Sequence, residues 1–475
     1  MRIAVIGAGA VGSLIARELC RYEAEVVLFE RAPDVGWGVT KANSGIVHAG
    51  FHDEPGTTRA RFCAAGNALY PELATDLEIP FRRTGAYVLA FTTEELSVLE
   101  ELREWGEVNG VPGLELHRRE EILAREPRVN PEVRAGLWSP TVGITLPWEI
   151  AIAAVENALD NGLELHLGEP VVGIEVSGGR VRAVRTDKGR YPVEAVVNAA
   201  GLFADHIAQM AGLEGPALHP RRGEYVLLDE TTGGLVNVVL FPAPTQVSKG
   251  ILVLPTVDGG LLLGPNAHDL PPDAREATET TREGLEEVIE GAVHLVPDLP
   301  LHKTVKTFAG LRPESPQKDF VLGETRVAGF YQAAAMRSPG LTAAPAIARW
   351  LAHEIALAHG LEERTDFRPV RKRIPHPADL PEAEWEALIR KDPRWGRIVC
   401  FCNRVTEGEI VEAIRRGART LDGVKFRTRA GFGRCQGGFC TDRILEILAR
   451  ELGAEPWEVT ARGGASRIVL GEARP

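Results

Sequence analysis

The chain has 475 residues, more than one ordinary core accommodates, so two or three domains are expected. Hydrophobic residues make up 44% and charged residues 25%, the balance of a soluble globular protein, so disorder is not the default. A formal net charge of −12 argues against nucleic acid or an anionic membrane surface as a general partner, because polyanion binding depends on a basic face.

The first sixteen residues could pass for a signal peptide, but their glycine spacing and the acidic residue at 30 fit a strand, a turn and a helix better. No apolar run reaches the ~18 residues of a membrane span, and the reading is a cytoplasmic protein. Residues 3–6 (IAVI) form a short apolar strand, AVGSLIARELCRY has helical spacing, and EVVLFE is a second strand. This is a βαβ unit. Its turn supplies Gly7, Gly9 and Gly12, and Glu30 ends the second strand. The first glycine permits the tight turn, the second lets a pyrophosphate approach the backbone, and the third allows close helix–strand packing. Glu30 would accept hydrogen bonds from ribose hydroxyls. These residues predict a dinucleotide and leave NAD and FAD both open.

Further along, GAYVLAF, RGEYVLLD and GILVLPTVDGGLLLGP read as antiparallel strands, interleaved with VRAVRTDKGRYPVEAVVNAAG, which ends in a buried strand and small residues. The expected fold is mixed α/β and α+β: a Rossmann-like nucleotide-binding domain assembled from separated segments (about 1–80, 140–215 and 305–360). An inserted antiparallel β-sheet domain fills about 81–139 and 216–304. LTAAPAIARWLAHEIALAHG closes that body as a long helix. Residues 361–397, rich in proline and charge, read as a linker with one short helix in PEAEWEALIRK. A small, mainly helical domain follows at 398–460, then a tail at 461–475.

In the stretch NSGIVHAG the chain resembles the D-amino-acid-oxidase-like superfamily of FAD-dependent oxidoreductases, in its glycerol-3-phosphate and L-2-hydroxyglutarate dehydrogenase branches. VVNAAGLFADHIA resembles that family's second dinucleotide-contact strand, and SPGLTAAPAIA its final FAD motif. The likeness spans roughly residues 1–358, and VSKGILVLPT and LLLGPNAHD lean toward the 2-hydroxyglutarate branch. The resemblance implies FAD rather than NAD. Carried over residue by residue, it places FAD on Gly7, Gly9, Ala10, Val11, Gly12, Glu30, Arg31, Thr40, Asn43, Ser44, Gly45, Val171, Ala200, Gly201, Gly310, Arg312, Gly340, Leu341 and Thr342. His48 falls at the family's histidine beside the flavin ring, with positioning, proton transfer or covalent attachment as its possible roles. FAGLRPESPQKDF puts Arg312 and Lys318 after a strand, where a cation can hold a carboxylate or phosphate. Tyr225, from the inserted sheet, is a further candidate for the pocket.

Four of the six cysteines lie in the last 76 residues, as CxC (Cys400, Cys402), a 32-residue gap and CxxxxC (Cys435, Cys440). Four thiolates from two loops can hold zinc or a [2Fe-2S] cluster, and a disulfide pair is disfavoured in a cytoplasmic chain. The segment resembles the bacterioferritin-associated-ferredoxin-like [2Fe-2S] domain, including its CQGxxC ending, which implies the cluster. Between Trp395 and Arg450 there are 11 Lys/Arg against 6 Asp/Glu, so this domain is locally basic. Cys20 and Cys63 are expected to be small buried residues.

Together these resemblances imply a dehydrogenase acting on the secondary alcohol of a small anionic substrate, with sn-glycerol 3-phosphate to dihydroxyacetone phosphate as the first expectation. The electrons would leave through the cluster to a redox partner subunit or a quinone-linked acceptor, a partner that could also bring the chain to a membrane. An L-2-hydroxyglutarate or other 2-hydroxy-acid dehydrogenase, an amine or amino-acid oxidation, and a non-catalytic relay subunit are the alternatives.

Overall fold

The computed structural model describes residues 1–244 and 249–471, so Val247 and Ser248 of VSKGILVLPT, and the last four residues of the tail, lie outside the described residues. The N-terminal unit forms as its spacing predicts: β1 (Arg2–Ile6), α1 (Ala10–Leu19) and β2 (Glu25–Glu30), with β1 and β2 parallel. Ile3, Val5, Leu14, Ile15 and Leu28 pack into one core, as a strand buried on both faces requires. β1 also pairs with Ala195–Asn198, which pairs with Phe330–Ala334, and β2 pairs with Glu164–Leu167. All these pairings are parallel. An antiparallel edge strand, Val321–Glu324, completes six strands drawn from widely separated parts of the chain.

The second large sheet has nine strands, antiparallel except where Val239–Pro242 runs parallel to Ala86–Ala90. Its longest pairing joins His219–Leu228 to Thr304–Glu314 from His219↔Glu314 to Leu228↔Thr304. This pairing corrects two expectations. The strand Thr304–Glu314 belongs to the antiparallel sheet rather than to the dinucleotide-binding segment, and Arg312 lies within it rather than after it, because the ladder continues to Glu314.

Helix Gly340–His359 packs on α1 and on helix Thr58–Leu77. The proline-rich stretch after it contains a helix at Glu382–Lys391 and is held to the body. Arg371 is buried there, its guanidinium 3.1 Å from Glu149 and 2.7 Å from Glu156, and its backbone N–H donates to the carbonyl of Asp76. The small C-terminal domain then builds its own core from Val405, Ile410, Val411, Ile414, Val424, Ile444 and Leu448. Helix Glu407–Arg415 starts at a capping box, with Thr406 and Glu409 satisfying each other's backbone N–H groups. Among the described residues no helix is long and apolar enough to cross a membrane.

Candidate active site

A cavity of about 1070 Å³ opens beside the glycine turn and is lined by both sheets and by the C-terminal domain. Of the expected FAD residues, Gly7, Gly9, Ala10, Val11, Gly12, Glu30, Arg31, Thr40, Asn43, Ser44, Val171, Ala200, Gly201, Gly310, Gly340 and Leu341 line it. Gly45, Thr342 and Arg312 do not. The Thr342 hydroxyl instead accepts the His48 N–H at 2.9 Å, fixing the loop behind the cavity wall. At the turn, the Thr40 hydroxyl accepts the Ala10 N–H at 2.9 Å. The Glu30 carboxylate accepts the N–H groups of Ala8 and Ala32, both at 2.8 Å. Burial pushes Glu30 above the usual carboxylate range while those two N–H groups oppose it. Arg31 lies over the Phe203 ring at 3.9 Å and pairs with Glu276 at 2.9 Å.

These residues suit a dinucleotide: a helix N-terminus, an acidic group at the end of β2, and a wall cut back to glycine. At Gly310 a Cβ would stand 1.8 Å from the Ala42 carbonyl oxygen, so only glycine lets the two cavity walls approach this closely.

Beside the cavity lies a buried polar group. The His48 ring shares a hydrogen bond with the Ser338 hydroxyl through Nε2 (3.3 Å), and its Nδ1 is buried without a partner among the described residues. Burial, and then the nearby Lys249 ammonium, hold His48 well below the ordinary histidine range, so the ring is neutral. The Lys249 Nζ is likewise buried without a hydrogen-bond partner, and desolvation lowers its pKa. His52 and Phe241 close one side, with centroids 6.2 and 5.9 Å from His48. Arg312 is half-buried and donates to the carbonyls of Asn266 (2.6 Å) and Arg222 (3.3 Å). Arg337, 2.9 Å from Glu314, stands in the same field as Arg312 and Arg59. Tyr225 is buried and stacked on Phe308 at 4.7 Å, its phenol pushed up to about 12 by burial. Lys318, expected beside Arg312, stands on an exposed turn outside the cavity lining. Sequence reasoning missed Lys249, Arg337 and Ser338. Two of these sit in stretches already quoted for their resemblance, but a single basic or hydroxyl residue carries no periodic signal.

In the C-terminal domain Cys402 and Cys435 bring their sulfurs to 3.7 Å, and the Cys440 thiol meets that of Cys400. Two sulfurs on one tetrahedral metal, at a metal–sulfur distance of ~2.3 Å, stand about 3.7 Å apart. The thiols thus stand as two pairs, Cys402 with Cys435 and Cys400 with Cys440, and together supply the four sulfurs that a [2Fe-2S] cluster takes. Burial opposes ionisation of Cys435, but the N–H of Phe439, the Cys402 thiol and the N–H groups of Gly437 and Gly438 outweigh it and lower its pKa. Gly433 closes the loop over Cys402, where a Cβ would meet the Cys402 Cβ at 2.2 Å. Gly433, Phe432 and Asn403 also line the large cavity, so the Cys402 thiol lies one residue behind its wall.

A parallel glycine-turn sheet sharing one cavity with an antiparallel sheet, and a cysteine-rich domain abutting that cavity, define a flavoprotein oxidoreductase with an attached iron–sulfur module. Residues 2–354 match the family model described as FAD dependent oxidoreductase, and residues 398–450 match that of the BFD-like [2Fe-2S] binding domain. The chain belongs to the FAD-dependent oxidoreductase family and carries a [2Fe-2S]-binding domain. It is 45% identical to a glycerol 3-phosphate dehydrogenase of Caloramator mitchellensis over 473 residues, 99% of this chain and 98% of that one. It is 31% identical to the mitochondrial L-2-hydroxyglutarate dehydrogenase of Mus musculus over 281 residues, 55% of this chain and 60% of that one. Among solved structures, the dithionite-reduced L-alpha-glycerophosphate oxidase of Mycoplasma pneumoniae with FAD bound superposes with a TM-score of 0.72 at 29% identity, covering 78% of this chain and 98% of that one.

Proposed function

We propose that this enzyme oxidises sn-glycerol 3-phosphate to dihydroxyacetone phosphate and passes the electrons through a [2Fe-2S] cluster on Cys400, Cys402, Cys435 and Cys440. The observation that carries the reading is a set of cations beside a neutral histidine: Lys249, whose buried Nζ has no hydrogen-bond partner among the described residues, the half-buried Arg312 and Arg337 close by, and His48 with a ring nitrogen unpartnered among those residues. The full-length likeness to the Caloramator glycerol 3-phosphate dehydrogenase supports the substrate.

Bound FAD supplies the two-electron acceptor for the hydride of the carbinol carbon. The chain's own residues do the rest. Lys249 and Arg312 attract and orient the anionic end of the substrate, the arginine as a planar fork and the lysine as a point charge. His48, kept neutral, accepts the hydroxyl proton, and the Ser338 hydroxyl at its Nε2 orients the ring. Tyr225 and Phe308 supply a stacked apolar wall. Beyond the cysteines, a one-electron acceptor such as a partner subunit leading to quinone completes the path.

The test is an anaerobic titration of the purified protein with sn-glycerol 3-phosphate and, in parallel, L-2-hydroxyglutarate. Loss of flavin absorbance with the first substrate, followed by the EPR signal of a reduced [2Fe-2S] cluster, is the expected result. Bleaching only by the hydroxy acid would transfer the same chemistry to that substrate. An unchanged flavin with both would remove the assignment.

A further inference from the structure

Three lysines unused by the substrate chemistry converge on the large cavity where the two domains meet. Lys41 follows Thr40 in the loop after β2, Lys306 lies on strand Thr304–Glu314, and Lys425 lies on helix Leu421–Thr428 of the C-terminal domain. All three line the cavity and are half-buried, and among the described residues no carboxylate forms an ion pair with any of them. The Lys306 ammonium lies against that of Lys425, and Arg462 adds positive charge beside Lys41. Asp422 is the carboxylate that faces both Lys41 and Lys425. Aromatic rings wall the site: the Lys41 Nζ is 4.3 Å from the Trp37 centroid and 6.0 Å from that of Phe426, and the Lys425 Nζ is 4.8 Å from that of Phe432. Burial, and then Lys306, bring Lys425 down to about 8. Like charges gathered in a partly dry site repel one another unless an anion sits among them, and ammonium groups are strong point-charge partners for phosphate.

We propose that Lys41, Lys306 and Lys425 form a phosphate-binding site spanning the two domains. Two sources share that chemistry: the pyrophosphate of FAD itself, since Thr40 contacts the dinucleotide turn one residue from Lys41, and a second phosphate-bearing ligand seated between the flavin region and the cysteine loops. Either way, an occupant would draw the C-terminal domain onto the body, because one of its three cationic partners comes from that domain. Neither occupant depends on the identity of the oxidised substrate.

The experiment compares wild type with K306Q/K425Q, K306Q alone and K425R. FAD is titrated into apoprotein by flavin fluorescence, and inorganic pyrophosphate into FAD-loaded protein by calorimetry. Affinity for one of the two probes is expected to fall by about tenfold or more in the double variant and to stay within about twofold in K425R, which keeps the charge. A loss for FAD identifies its own phosphates as the occupant, whereas a loss for pyrophosphate with FAD binding intact identifies a separate ligand. Unchanged affinity for both probes, in protein whose melting temperature and cluster EPR signal are preserved, overturns the site. So does a loss that K425R fails to rescue. Should the double variant melt early, K306Q decides alone, since it leaves the C-terminal domain untouched, and an unchanged affinity there is equally fatal.

Discussion

His48 shows how one residue's chemistry depends on what surrounds it. Its ring is neutral because burial and the Lys249 ammonium both disfavour the imidazolium, and its Nδ1 has no partner among the described residues. Replacing it with asparagine should lower kcat/KM by ~10²–10⁴, the usual worth of a positioned acid–base group, while flavin content stays normal. Anaerobic stopped-flow reduction of the flavin would read the loss directly. The pH dependence follows from the sign of the shift. The folded pKa lies below the unfolded value of about 6.5, so on acidification the unfolded chain takes up the proton first. The stability of the neutral buried ring is therefore complete above that value and is lost as pH falls through it toward the folded pKa. Thermal melts between about pH 7.5 and 5.5, limits set at about one unit either side of the unfolded value, should fall less steeply in H48N than in wild type. His52, shifted in the same direction, keeps part of the slope.

At the scale of the element, strand Thr304–Glu314 links three regions of the molecule. Side chains two apart share a face, so Lys306, Phe308, Gly310 and Arg312 follow one another from the domain junction to the substrate group. Gly310 is the tightest point, because a Cβ there would meet the backbone carbonyl of Ala42, which has no rotamer to move aside. G310A should push the strand away from the 39–43 loop, costing about 1–3 kcal/mol of stability and releasing FAD during purification. The flavin-to-protein absorbance ratio and a thermal melt would check both effects. The same strand accounts for the two corrections to its sequence reading, since its partner His219–Leu228 extends the ladder through Arg312 to Glu314.

Across the whole molecule, the docking of the C-terminal domain is fixed by a buried ion pair. The Arg427 Nη2 lies 2.7 Å from Asp34 Oδ1, and both side chains are almost fully buried. Around it Trp148 stacks on Phe432 with centroids 5.4 Å apart, Phe426 packs on Trp148 at 5.2 Å, and Arg416 reaches Glu156 at 3.2 Å. Removing one partner of such a pair leaves an unpaired charge and costs ~3–5 kcal/mol. R427M should therefore loosen the docking without unfolding either core. Expected signatures are faster proteolysis within 361–397, a second calorimetric transition, and slower appearance of the reduced-cluster EPR signal after substrate, with flavin bleaching retained.

The parts that the sequence by itself determined are those built from short-range chemistry. A glycine turn between an apolar strand and a helix, an acidic residue closing the next strand, and paired cysteines on two loops each need only a few neighbouring residues, so their spacing announces them. The Rossmann-like dinucleotide-binding domain, the inserted antiparallel sheet and the small helical domain followed from those signals and from the resemblances they supported. Tertiary structure alone decided which charges meet. Lys249, Arg312 and Arg337 come from different segments, as do Lys41, Lys306 and Lys425, and nothing local distinguishes a lysine that will be buried beside His48 from Lys318, which ends on an exposed turn. Burial and Coulomb coupling act through space, so the residues they join become visible only after the chain has folded.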